Sequence, residues 1–144
     1  MKEVYDFITI TNKIHTLRFS RYGDEYYALP TVKWIKEQFT PYYSDFLFKN
    51  NLRTFKEGAN DCDKYALYVR ACAHLLYNQK YNSIDGAGLS VGETSYFQSL
   101  DLHDINFFVA IDEYGQWVML FYEPQIQEFV PMDITDTAWM DVIL

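Results

Sequence analysis

The clearest pattern in the chain is a strict alternation near its C-terminal third. His103, Ile105, Phe107, Val109 and Ile111 fall on one face of an extended strand, and Asp104, Asn106, Phe108, Ala110 and Asp112 on the other, because successive side chains of a strand point to opposite sides. Asp112-Glu113-Tyr114-Gly115-Gln116 then reads as a turn, with Gly115 suited to the left-handed position of a three-residue hairpin loop. The return strand, Trp117 to Gln125, is apolar on both faces and so belongs inside a sheet. With this turn His103 faces Gln125, and Glu123, opposite Ile105, becomes its diagonal neighbour at about 7–8 Å.

A helical pattern precedes the hairpin. Cys62, Ala66, Val69, Ala73 and Leu76 recur at spacings of four, three, four and three, which predicts one inward stripe on a helix from Cys62 to about Asn78. Asn60 or Asp61 serves as its N-cap. A second helix starts after Leu29-Pro30-Thr31, with Val32, Trp34, Ile35, Gln38 and Phe39 near helical spacing, and Pro41 kinks or restarts it on the way to Phe48. Lys49 to Gly58 is a polar connector. Ile84 to Ser99, with Gly86, Gly88 and Gly92, reads as a loop with a short strand around Leu89-Ser90-Val91. Val4 to Arg21 alternates loosely and fits strand or helix, and residues 22–25 read as a turn. There is no internal repeat or linker, so residues 1–144 form a single domain of α+β class, a helix followed by an antiparallel sheet.

Composition sharpens this picture. The 144 residues are 49% hydrophobic and 19% aromatic, with thirteen Tyr and eleven Phe, so a dense interior can be built from few, large side chains. The formal charge of −8 repels phosphate backbones and argues against nucleic acid as a partner, while it favours cations. The start of the sequence lacks the pattern of a signal peptide. The longest apolar run, Trp117 to Tyr122, is far short of the roughly 20 residues that span a bilayer. These features lead us to expect a cytoplasmic protein with no membrane partner. Cys62 and Cys72 lie ten residues apart on one helix, roughly 15 Å, which excludes a disulfide between them. Neither has a neighbour at zinc-ligand spacing. Cys72 reads as a packing residue.

Cys62 is in a different chemical place. A thiol becomes a nucleophile near neutral pH only with help, and a helix N-terminus and an imidazolium both supply it. A third group must orient the imidazole. Cys62, His103 and Glu123 offer these parts in chain order. His15 and His74 have no such company and read as surface or packing residues. Asn106 falls on the face opposite His103 and reads as a structural hydrogen-bonding residue. Asp133, Asp136 and Asp141 read as a solvated acidic tail.

The motifs Asn60-Asp61-Cys62-Asp63-Lys64-Tyr65-Ala66, His103-Asp104-Ile105-Asn106 and Tyr122-Glu123-Pro124-Gln125, with Ile111-Asp112, Gly115 and Trp117 between them, resemble one group. It is the papain-like cysteine peptidase domain at the C-terminus of the fairy-ring mushroom agglutinin, with similar small phage and bacterial proteins. The resemblance covers about residues 30–130. It implies a papain-like fold with the nucleophile at the N-terminus of a central helix packed on an antiparallel sheet. It further implies a thiol hydrolase acting on a peptide or protein substrate, with Cys62 as nucleophile, His103 as general base and acid, Glu123 as orienting carboxylate and Gln125 beside the site. Calcium activation is implied as well, with Asp61, Asp63 and Asp104 as ligands, although Lys64 stands where the group carries an aspartate. The Cys62 N–H is one oxyanion donor. Lys56 occupies the position of papain's glutamine, which leaves Asn60 as the second donor. Two other functions fit the residues: transglutaminase-like acyl transfer, or a non-catalytic binding or structural protein on the same scaffold. The latter would present aromatics such as Tyr26, Tyr27, Tyr42 and Tyr43 as its contact surface.

Overall fold

A computed structural model of the chain describes residues 18–21, 27–81, 88–98, 101–131 and 139–143. Its organising element is the hairpin of two long strands, Asp101–Ile111 and Trp117–Glu123. Ile111 lies opposite Trp117 and Asn106 opposite Tyr122, the register a three-residue turn sets. The Asp112 N–H donates to the Gln116 carbonyl at 2.9 Å, and the Asp112 carboxylate accepts from the N–H groups of Tyr114 and Gln116 at 2.9 and 2.8 Å. Gly115 has a φ of 78°, a conformation that a Cβ would strain. The return strand stops at Glu123 rather than Gln125, and residues 124–127 turn into the next strand, Glu128–Val130. Pro124 has no N–H to offer a ladder, which fits a strand end there.

In chain order the strands are β1 (Arg18–Arg21), β2 (Tyr27–Ala28), β3 (Gly88–Leu89), β4 (Val91–Gln98), β5 (Asp101–Ile111), β6 (Trp117–Glu123), β7 (Glu128–Val130) and β8 (Trp139–Ile143). Six of them form one sheet in the order β1-β8-β4-β5-β6-β7, antiparallel except where β1 meets β8, while β2 and β3 pair separately in parallel. The expected glycine-rich loop is corrected here. Residues 91–98 form an eight-residue strand paired on both sides, with β5 and β8. The segment VGETSYFQ carries few aliphatic residues, and its extended form is set by the two ladders flanking it, not by its own propensity.

The helices are α1 (Val32–Trp34), which runs through a π-helical turn (Ile35–Phe39) into α2 (Thr40–Lys49), and α3 (Cys62–Tyr81). Thr31 caps the first of these, its hydroxyl accepting from the Trp34 N–H at 3.1 Å. Pro41 lies in the first turn of α2, where the α-helix resumes after the π-helical turn, as the expected kink or restart requires. The wider turn just before it, with the Thr40 N–H bonded to the Ile35 carbonyl, absorbs the missing donor. α3 runs three residues beyond Asn78.

Ala66, Val69 and Ala73 on the inward stripe of α3 are fully buried, and so is Cys72. Val69, Cys72 and Ala73 pack with an aromatic cluster centred on Phe39, whose ring lies 5.3 Å from Phe108, 5.7 Å from Tyr122 and 5.8 Å from Tyr43. Much of the aromatic content is therefore core. Tyr43, expected on a contact surface, is completely buried. Tyr27 and Tyr42 are half-buried, and Tyr26, His15, Gly86 and the side chains of the acidic tail lie outside the described residues. Among those described, no helix is long and apolar enough to cross a membrane.

Candidate functional site

The predicted site residues gather at one end of the sheet, where α3 begins. The connector before α3 is pinned by Asn60. Its side-chain amide lies 2.8 Å from the carbonyls of both Leu52 and Thr54 and 3.1 Å from the Tyr65 hydroxyl, which itself donates to Leu52 at 2.7 Å. The Asn60 and Lys56 backbones bond each other in both directions. Asn60 is thus a buried clamp whose donors are committed to the loop, which corrects its expected role as an oxyanion donor. Asp61 likewise turns its carboxylate back to the Gly58 N–H at 2.8 Å.

Cys62 opens α3 and is half-buried. Its thiol points at the Asp104 carboxylate, 4.0 Å away, and the other oxygen of Asp104 accepts from the Ser95 hydroxyl. Burial, followed by the negative charges of Asp104 and Asp61, pushes the Cys62 thiol above its ordinary range, outweighing the lowering by nearby backbone N–H groups. A protonated thiol facing a carboxylate is the resting state this arrangement favours.

Alternation along β5 decides what Cys62 can meet. Asp104 faces Cys62, and Asn106 donates to the Ala66 carbonyl on α3 and to the Gly92 carbonyl on β4, both at 3.0 Å. Even-numbered residues of this stretch therefore face α3. His103 projects from the opposite face, where its Nε2 lies 2.6 Å from a Glu123 oxygen. The other Glu123 oxygen accepts from the Gln125 N–H at 3.2 Å. Tyr96, directly across the ladder, sets its ring edge-on to His103 at 5.5 Å. His103 and Glu123 are brought together, and among the described residues no hydrogen bond joins either to Cys62. The parity of the strand contained this result: a face that buries Asn106, Phe108 and Ala110 against a helix cannot also present His103 to it. Ser95, Tyr96 and the Arg70–Glu93 ion pair at 3.4 Å escaped the sequence reading because β4 was not visible as a strand.

The aspartates expected to hold calcium are engaged as follows. Lys64 places its ammonium 2.6 Å from Asp63 and 3.7 Å from Asp61. Asp104 is bound to Ser95 and Cys62. Among the described residues no three His, Cys, Asp or Glu side chains converge on a point where a metal could sit.

No family model matches the chain, and no curated protein does. Solved structures do. One is the Polyporus squamosus lectin bound to the human-type influenza-binding epitope Neu5Aca2-6Galb1-4GlcNAc, with a TM-score of 0.67 and 19% identity, covering 93% of this chain and 46% of that one. Another is a PSL1a-E64 complex, with a TM-score of 0.64 and 20% identity, covering 94% and 48%. At this identity the likeness is one of fold, and the chain spans about half the length of the structures it matches. These findings correct the motif-based resemblance. The α+β architecture stands, with a fold similar to part of a lectin. The assignment to a cysteine peptidase family does not, since the solved structure that the chain resembles is that of a lectin.

Proposed function

We propose that the chain is a non-catalytic binding module that holds a neutral saccharide where Tyr96, His103 and Glu123 meet. The observation that carries this reading is the split of polar residues between the two faces of the sheet. A thiol turned to Asp104 and an imidazole turned to Glu123 are two hydrogen-bonding clusters, and neither is a nucleophile with its base. The likeness in fold to part of a lectin bound to a saccharide epitope supports a binding role. The chemistry of the cluster supports the ligand class. Glu123 and His103 are half-buried and fixed in orientation, so their remaining lone pairs and ring nitrogen suit hydroxyl groups, which both donate and accept. The ring of Tyr96 offers an apolar surface beside them. The carboxylates at this end of the sheet and the formal charge of −8 disfavour an anionic sugar.

A panel of neutral and sialylated oligosaccharides, titrated by isothermal calorimetry, tests the reading. Neutral saccharides bind, and both Tyr96→Ala and Glu123→Gln weaken binding about tenfold or more, the loss expected for a central aromatic anchor or a charge-assisted hydrogen bond. Retention of no saccharide, or binding indifferent to both substitutions, overturns it.

A further inference from the structure

A recess lies at the other end of β5 from the His103–Glu123 cluster. It is a cavity of about 580 Å³ between the start of α1 and the hairpin turn, within the range of small-molecule sites. Eight residues separate His103 from Ile111 along β5, about 27 Å at roughly 3.4 Å per residue, so the cavity is independent of the cluster described above. Its mouth is braced. The Ile111 N–H donates to the Pro30 carbonyl at 2.9 Å, and Thr31 forms a parallel bridge with Ile111. Val32 and Ile111, both half-buried, supply apolar lining.

Both walls of this lining carry charge. The helical segment contributes Lys33, Lys36 and Glu37, and the hairpin contributes Asp112 and Glu113. Lys33 is paired with Glu37, loosely, at 3.9 Å. Lys36 instead holds its ammonium 5.8 Å over the ring of Phe129, with no carboxylate in ion-pair range among the described residues. Glu113 likewise has no ion pair among them, and Asp112 is held rigid by the two N–H groups of the turn. A cation on one wall and an anion on the other thus line the same cavity without meeting. A molecule that carries both opposite charges on an apolar body would complete both.

We propose that this cavity binds a small zwitterion with an apolar side chain, of the α-amino-acid class, its carboxylate toward Lys36 and its ammonium toward Glu113. The probe is L-leucine, titrated into the isotopically labelled full chain at near-neutral pH and followed by amide NMR. N-acetyl-L-leucine and L-leucine methyl ester, each lacking one charge, are the controls. Leucine shifts the amides of residues 31–37 and 111–116 saturably, and each control binds about five- to tenfold more weakly, as expected for loss of one charged contact. Lys36→Gln abolishes the advantage of leucine over its methyl ester, and Glu113→Gln abolishes its advantage over the N-acetyl derivative. Both side chains are exposed, so the variants keep the fold. Absence of a saturable shift with leucine, or equal binding of all three compounds, overturns the proposal.

Discussion

Phe39→Ala lowers the unfolding free energy by about 4 kcal/mol, in the range for a buried Phe reduced to Ala, read from urea denaturation. The ring has no exposed surface and contacts Trp34, Tyr43, Phe108 and Tyr122, so its removal leaves a cavity walled by rings that cannot all close in. Phe39 sits at the end of the π-helical turn and touches β5 and β6 together. It therefore joins the helical layer to the hairpin that sets the candidate site. Phe39→Leu, which keeps most of the volume, costs about 1–2 kcal/mol. A loss below about 1 kcal/mol for the alanine variant would mean that the aromatic cluster is not the core of this domain.

Asn60→Ala has the second-largest effect, about 2–3 kcal/mol, because it deletes donors to two loop carbonyls and a contact with the Tyr65 hydroxyl in a buried setting. Tyr65→Phe removes only the hydroxyl that donates to Leu52 and costs about 1 kcal/mol. The two effects differ in location as well as size. Asn60→Ala exposes the 52–60 connector to limited proteolysis before the rest of the domain unfolds, since that segment loses its tie to α3. Unchanged cleavage there, with unchanged stability, would show that the connector is held by something other than this amide.

The hairpin was legible from the sequence because three constraints agreed: the alternation over β5, the Gly115 turn and the all-apolar return strand. Together they also located the Glu123 carboxylate beside His103. α3 was legible from its stripe of small residues, down to the first residue, Cys62. β4 was not, because its residues are held extended by partners distant in sequence, and local pattern carries no trace of a ladder. The missing strand hid Ser95 and Tyr96, and so concealed that the thiol and the imidazole each have another neighbour. Strand parity adds one further constraint on the site. Three residues in chain order resembling a triad establish nothing about which face of the sheet each occupies, and here one residue of parity separates Asp104, which meets Cys62, from His103, which does not. Asn60 misled for a related reason: a buried amide before a helix offers the same donors to a loop as to an oxyanion.

Cys62 is expected to behave as a buried, protonated thiol and not as an activated nucleophile, and the pH profile of its alkylation separates the two. Iodoacetamide labelling of the full chain, followed by mass spectrometry from about pH 5 to about pH 9, compares Cys62 with a free thiol of ordinary pKa, ~8.5. Burial and the charge of Asp104 raise the Cys62 thiol, so its thiolate fraction lags behind the reference across this range. Cys62 reacts more slowly than the free thiol at every pH, still accelerates at the alkaline end, and keeps the same profile in His103→Ala. Rapid labelling of Cys62 near pH 6 that disappears in His103→Ala would contradict it, by demonstrating a thiolate sustained by the imidazole.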